Sequence, residues 1–490
     1  MSKRHLFLSI ILYCPISQCP AQTPPQHPIA ITHVNVVDVV AGEIRADQTV
    51  LISNGRITAT GPSNSVAAPR DATVIAANGE YLMPGLWDMH VHLRSDQNRP
   101  ETRMSDDNES LLDLFLPNGV VGICEMGGDL ADDVIRWRNE IRAGKREGPR
   151  ILTAGRKLDN DPPAWSGSIG VKTPEEARQA ILQIKQSGAD FVKVYFRTIS
   201  PEAFRAVIDE AHRQHLKVTG HKPTNMSIQE LVETGIDGMQ HAEYLLAPVR
   251  EAYDDLQRER SRRADTPWSM DATEVSARLL ALEDKKEEER LYQAMAQKQF
   301  WVTPTVSIYA HTLEHGIRDY ESDERKRFFF PGIWRTWDPK AGLRKPFEGR
   351  ALTLRQTAVK HWEQAALAAY KAGVPMMLGT DCGANNDHQM PGWSTHEELQ
   401  ALVRIGLTPA EALRLATVNA AKWRGDSDEG TVEPGKVADL LLLRANPLSN
   451  IQHTKEIESV FQGGRYYPRY SLDVMLKRAE AAATAAKQSR

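Results

Sequence analysis

From Met83 to about residue 423 the chain repeats one pattern: a short apolar segment, then a stretch with helical periodicity. That alternation constrains the fold more than any other feature, because strands separated by helices pair in parallel. Eight strand candidates can be read: Leu82–His92, Val120–Met126, Ile151–Ala154, Phe191–Tyr195, Leu216–His221, Gly238–His241, Phe300–Pro304 and Pro375–Asp381. Helical stretches lie between them. In TPEEARQAILQIKQSGAD, Thr173 stands where a cap belongs and Gly188 where the helix should stop. Ala177, Ala180, Ile181 and Ile184 recur at helical spacing. Eight such units over about 340 residues predict an α/β fold, a (β/α)8 TIM barrel, enlarged by insertions beyond the usual ~250 residues.

The flanks read differently. IAITHVNVVDVVAGEIRADQTVLISNGRITATG carries β-branched runs broken by Ala-Gly and Asn-Gly turns, and GTVEPGKVADLLLLRANP and SVFQGGRYY return to strand character. The simplest architecture is a barrel (81–423) inserted in a small β-sandwich domain that both chain ends complete (28–80 and 424–470). The Ala/Lys-rich end, 471–490, predicts a frayed helical tail.

The first 21 residues predict an export signal, placing the mature protein in the periplasm or outside the cell. Lys3, Arg4 and His5 form a basic start, LFLSIILY (Leu6–Tyr13) an apolar core, and Cys19-Pro20-Ala21 a small-residue site before Gln22. The core is too short to span a bilayer, which takes about 20 apolar residues. No membrane association is expected after cleavage. Net charge is −4 with both signs mixed, so no nucleic-acid partner is expected. The four cysteines, Cys14, Cys19, Cys124 and Cys382, are too few for a disulfide framework. Cys124 and Cys382 fall in barrel strands and read as free thiols.

GLWDMHVHL (Gly85–Leu93) places two histidines one residue apart at the end of an apolar run. His90 and His92 share parity and point to one face. They stand at the C-terminal end of the first strand, the face where barrel enzymes carry their sites. Strand four, DFVKVY, holds Lys193 inside an apolar run, with the parity of Phe191 and Tyr195. Strand five ends VTGH at His221, strand six MQH at His241, and strand eight LGTD at Asp381. Five strands thus aim polar side chains into one mouth. A buried lysine is costly unless paired or consumed chemically. Imidazoles and carboxylates suit zinc and similar ions. A lysine ammonium becomes a ligand only after carbon dioxide converts it to a carbamate.

The order GLWDMHVHL, FVKVY, VTGH, MQHAEYL and LGTDCG resembles the metal-dependent amidohydrolase superfamily, in particular its imidazolonepropionase-like and Xaa-Pro dipeptidase-like branch with a binuclear centre. GTVEPGKVADLLLL is similar to that superfamily's return to the β-domain. The resemblance implies that His90, His92 and Asp381 bind a first ion. It implies that His221 and His241 bind a second, and that Lys193, as its carbamate, bridges the two. The implied cofactors are two divalent ions, zinc first among the candidates, and carbon dioxide. The implied reaction is hydrolysis of an amide, peptide-like or cyclic C–N bond in a small molecule by a metal-bridging hydroxide, with Asp381 moving the proton. Esters, lactones and phosphoesters are open alternatives at such a site, and a non-catalytic scaffold is a further one. Barrels of this kind often dimerise or tetramerise, so a homo-oligomer is among the expectations.

Two departures bear on substrate. Related dipeptidases carry His-x-Tyr at strand five, where this chain has His221-Lys222-Pro223, and a proline has no N–H to donate. They also carry a Gly-His pair after strand three, where this chain has AGRKLDNDPPAW. Tyr195 is a candidate substrate-binding donor. The loop after strand six is highly charged, and the one after strand seven is rich in Phe and Trp. The aromatic loop reads equally as a lid lining a substrate pocket or as a local aromatic core. His311, His315, His388 and His396 are extra histidines not read as ligands, and His396 is placed at the opening of a helix after Ser394-Thr395.

Overall fold

The computed structural model describes residues 27–93, 105–128, 130–165, 167–246, 249–252, 254–255, 280–315, 317–338, 346–383 and 388–488. The export signal expected at 1–21 and most of the charged insertion after strand six lie outside the described residues.

Both chain ends build one β-rich domain. Strands β1 (Ile29–Asp38), β2 (Glu43–Ser53), β3 (Arg56–Pro62), β4 (Thr73–Ala76) and β5 (Tyr81–Pro84) come from the first end. Among the described residues, β15 (Leu440–Leu443), β16 (Ile457–Gln462) and β17 (Arg465–Pro468) come from the second. They form an eight-stranded sheet in the order β17-β16-β15-β5-β1-β2-β3, with β4 on β1. The ends meet where β15 pairs antiparallel with β5, Leu441 opposite Met83. Ile31, Val36, Val50, Leu82, Leu440 and Phe461 pack into one apolar cluster on this sheet.

Between those ends run the parallel strands. β6 (Leu86–Val91), β7 (Val120–Glu125) and β8 (Arg150–Thr153) make one sheet. β9 (Leu158–Asp159), β10 (Ile169–Gly170), β11 (Val192–Val194), β12 (Val218–Gly220), β13 (Gly238–Gln240) and β14 (Trp301–Thr303) make another. Every residue of β6 and β7 is buried, as expected of strands covered on both faces. The helix Pro174–Ser187 lies where predicted. Thr173 Oγ1 accepts from Glu176 N at 3.2 Å, while the Glu176 carboxylate accepts from Thr173 N at 3.0 Å. Losing such a cap costs about 1 kcal/mol.

The strand expected over Leu82–His92 is two strands in two sheets. The chain changes partners at Gly85, whose N–H goes to Asp439 O of the β-domain, whereas the next N–H goes to Gly119 O. A Cβ at Gly85 would lie 2.6 Å from the Val121 methyls, so a residue without one lets the chain pass. The eighth strand, expected over Pro375–Asp381, is not regular and shows only isolated bridges, Met376 to Val302 and Cys382 to Val91. It still closes one side: Met377 N donates to Val302 O at 3.0 Å, and Met89 N donates to Leu378 O at 2.9 Å. Gly379 interrupts the ladder, because its backbone presses against β6 and β14; a Cβ there would sit 2.4 Å from Thr303 Cγ2 and 2.8 Å from His90 Cβ. Asp381 then takes φ 58°, outside strand geometry.

Further expectations need correcting. The end of the chain is a packed helix, Arg469–Gln488, with Leu472, Met475, Ala479 and Ala483 buried at helical spacing. Arg478 Nη2 sits 2.8 Å from Asp113 Oδ1, which anchors the helix to the barrel's flank. Of the two readings of the aromatic loop after β14, its described residues fit the local core: Phe329, Trp334 and Trp337 meet edge to face or tilted, and His388 stacks on Tyr320. Cys124 and Cys382 are free and buried, as expected. Among the described residues no helix is long and apolar enough to cross a membrane.

His396 does not open its helix, which starts at Trp393. It is fully buried and ties the barrel to the β-domain, Nε2 donating to Asn118 O at 3.0 Å and Nδ1 lying 2.9 Å from Thr454 Oγ1. Burial pushes its pKa down from the ordinary imidazole value of 6.5 to about 4. The fold therefore refuses a proton that the unfolded chain accepts below pH 6.5. Stability from this group is full above pH 6.5 and is lost as pH falls toward 4. Urea unfolding of the parent and His396→Gln at pH 7 and pH 5 should show the variant's deficit shrinking by about 2 kcal/mol at the lower pH. An equal deficit at both values would show that His396 is not a neutral clamp.

Candidate metal centre

All six predicted ligands sit at or just beyond the C-terminal ends of barrel strands. His90 lies within β6 and His92 follows it, Lys193 lies in β11, His221 and His241 follow β12 and β13, and Asp381 follows Thr380. His90 Nε2 stands 3.3 Å from His92 Nε2. Asp381 Oδ1 lies 3.1 Å from the first and 2.9 Å from the second. Across the mouth, His221 Nε2 and His241 Nε2 are 3.2 Å apart. The His90 and His241 rings are 5.1 Å apart between centroids, so the two pairs share one cavity. His90, His241 and Asp381 each offer a donor atom within 4.8 Å of the others. Lys193 is buried on the strand between these pairs. Its charge opposes protonation of His90, His221 and His241.

The donor spacing suits a metal. Two ligands at zinc–nitrogen bond lengths of ~2.0–2.1 Å in a tetrahedron are about 3.3 Å apart. Both histidine pairs have that edge. The proton inventory points the same way. His90 Nδ1 lies 2.8 Å from Gln240 Oε1, a carbonyl oxygen that only accepts. The proton of a neutral His90 is therefore on Nδ1, and Nε2 is left as a bare lone pair. It faces another imidazole nitrogen and a carboxylate oxygen, and such a cluster of acceptors is stable only around a cation or a proton. Burial first, and then the Lys193 charge, holds His221 well below the ordinary histidine range. Burial pushes His241 down to about 3. Neutral rings are the ligand form.

Partners behind the ligands fix their rings. His241 Nδ1 is 2.8 Å from Thr305 Oγ1, and His221 Nδ1 is 3.2 Å from Tyr244 Oη. Asp88 lies beneath the site and accepts from Thr380 Oγ1 at 2.7 Å, Thr380 N at 3.0 Å and His90 N at 3.2 Å. It binds the Asp381 segment to β6, and burial pushes its pKa up to about 6. His241, Thr305 and Asp381 are all non-glycine residues with positive φ, which marks the site as a place where backbone strain is held.

Sequence reading missed Asp88, Gln240, Tyr244 and Thr305. Asp88 carried a signal, since it shares parity with His90 and His92 in a fully buried strand. Gln240 also carried one, as a polar residue in a buried strand. Tyr244 and Thr305 reach the ligands by local turns that no periodicity announces.

The departures from the dipeptidase pattern have structural explanations. Lys222 turns away from the mouth and is buried, its Nζ 2.6 Å from Asp254 Oδ2 and 3.1 Å from Pro223 O. Tyr195 stands against His221, ring centroids 4.3 Å apart, and is half-buried. Trp165 meets Tyr195 edge to face at 5.5 Å, and Lys157 Nζ lies 4.9 Å from the Trp165 ring centroid. The loop after strand three thus forms a wall beside Tyr195 and His221.

The sequence profile of the amidohydrolase family matches residues 81–466. The ochratoxinase of Aspergillus niger is 24% identical over 438 residues, spanning 79% of this chain and 75% of that protein. Among solved structures, bottromycin amidohydrolase superposes with a TM-score of 0.71 at 21% identity, covering 93% of this chain and 90% of that one. A Xaa-Pro dipeptidase with methionine bound in its active site gives 0.64 at 18% identity, covering 90% and 100%.

Proposed function

The chain belongs to the amidohydrolase family and is a hydrolase of carbon–nitrogen bonds, and on that premise we propose that it is an exported enzyme with a binuclear metal centre that hydrolyses a small amide or peptide-like substrate. The observation that carries this is the convergence of four imidazole Nε2 atoms and the Asp381 carboxylate at coordination spacing. His90, His92 and Asp381 would hold one ion, His221 and His241 the other, and Lys193 would bridge them as a carbamate. That conversion replaces a buried positive charge among imidazoles with a negative oxygen ligand, which relieves the cost of burying an ammonium there. Divalent ions so held, zinc first among the candidates, would lower the pKa of water and polarise the scissile carbonyl.

The rest of the chemistry belongs to the chain. Asp381 takes the proton that the attacking water releases as the new C–O bond forms. It returns that proton to the amide nitrogen as the C–N bond breaks, because an amine anion is a poor leaving group. Tyr195, beside His221, would offer its phenol as a donor to the substrate. Bottromycin amidohydrolase and the Xaa-Pro dipeptidase are amide and dipeptide hydrolases by name, which supports amides over esters as the substrate class. Export rests on the basic and apolar segments of residues 1–21 alone.

Matched amides and esters of the same acyl groups test the reading on zinc-loaded protein. Amide turnover that a chelator abolishes and zinc restores is expected. Turnover of esters alone would make the enzyme an esterase or lactonase, and turnover of neither would favour a scaffold.

A further inference from the structure

We infer that Gln240 is a positioning residue that locks the two ligand pairs of the metal centre into one unit. This inference rests on the metal-centre reading above. Gln240 is wholly buried at the end of β13, next in sequence to His241. Its side chain does not follow His241 to the second pair. It crosses the barrel, and its Oε1 receives the proton on His90 Nδ1 at 2.8 Å. Its amide nitrogen donates to Thr219 Oγ1 at 2.7 Å, and Thr219 stands two residues before His221 on β12. One carboxamide thereby touches a ligand of the first pair directly. Through its own backbone and through Thr219, it is built into the two strands that carry the second pair.

The chemistry of the amide sets the direction. The hydroxyl of Thr219 accepts from the NH2 end, and the carbonyl end faces His90. A carbonyl oxygen cannot donate, so His90 keeps its proton on Nδ1 and its lone pair on Nε2, where the centre needs it. Thr219 anchors the amide, the carbonyl facing His90 fixes the tautomer, and the tautomer leaves Nε2 as the donor atom. A filler role predicts something else: any side chain of the same volume would serve, and an apolar one would be favoured over a charged one in so buried a place.

The test is metal affinity of the full chain, measured by competition with a chromophoric zinc chelator on Gln240→Met and Gln240→Glu. Methionine keeps the length and loses the acceptor. Glutamate keeps an acceptor for Nδ1–H. Gln240→Met should bind zinc about 10- to 100-fold more weakly than the parent, with Gln240→Glu recovering most of that loss. The unloaded variants should melt close to the unloaded parent. Parent-like affinity in Gln240→Met, or weaker binding by Gln240→Glu than by Gln240→Met, would overturn the inference and leave Gln240 as packing. If Gln240→Met does not fold, Thr219→Val carries the test: it frees the amide to turn, so weakened zinc binding supports the clamp and parent-like binding overturns it. A parent that binds no zinc would instead overturn the metal centre itself.

Discussion

Replacing Lys193 with alanine is expected to lower kcat/KM for the best amide substrate by more than ~100-fold, since even partners one shell behind a metal ligand cost 10- to 100-fold. The same change should reduce the metal held by each chain. Lys193 is buried between Val192 and Val194 on β11, and its charge acts on three of the four ligand imidazoles. An ammonium in that position repels cations. A carbamate attracts them, and its two oxygens can reach two ions. Bicarbonate in the reconstitution buffer should therefore speed recovery of activity in the parent and have no effect on Lys193→Ala. Steady-state kinetics and elemental analysis on the same preparation check both halves. Parent-like activity in the variant would remove the carbamate from the mechanism and return Lys193 to a buried structural role.

Replacing Asp381 with asparagine is expected to lower kcat by about 10²- to 10⁴-fold, the usual worth of a positioned acid–base group. Asparagine keeps the shape, and its carbonyl oxygen can still face His90 and His92. It cannot carry a proton from water to the leaving nitrogen. Burial pushes the Asp381 carboxyl up, and its contacts with His90 and His92 outweigh that and hold it well below the usual range. With KM little changed and metal retained, the loss would belong to proton transfer. A kcat equal to the parent's would show that another group moves the proton.

The candidate site was legible because three simple rules coincide. Strand parity puts His90 and His92 on one face, barrel sites cluster at strand ends, and a lysine inside an apolar strand demands a reason. The structure brings all six residues into one mouth. What escaped the sequence depends on register between distant strands. Gln240 reaches His90 from 150 positions away, and although its place in a buried strand marks it, nothing in the sequence names His90 as its partner. The switch of sheets at Gly85 was hidden because β5 and the start of β6 are both apolar and pair with different neighbours. The tail misled by composition: its alanines suggest fraying, yet Leu472, Met475 and the small faces of Ala479 and Ala483 let it pack closely. The aromatics of the loop after β14 proved to bury one another, a choice that depends on tertiary contacts alone.

The most direct measurement is metal content per chain, by elemental analysis of the purified full-length protein after reconstitution with zinc and bicarbonate. The two histidine pairs, Asp381 and the Lys193 bridge predict two ions per chain. One ion per chain would contradict the bridged centre and leave Lys193 without a role, and none would contradict the metal-dependent mechanism as a whole.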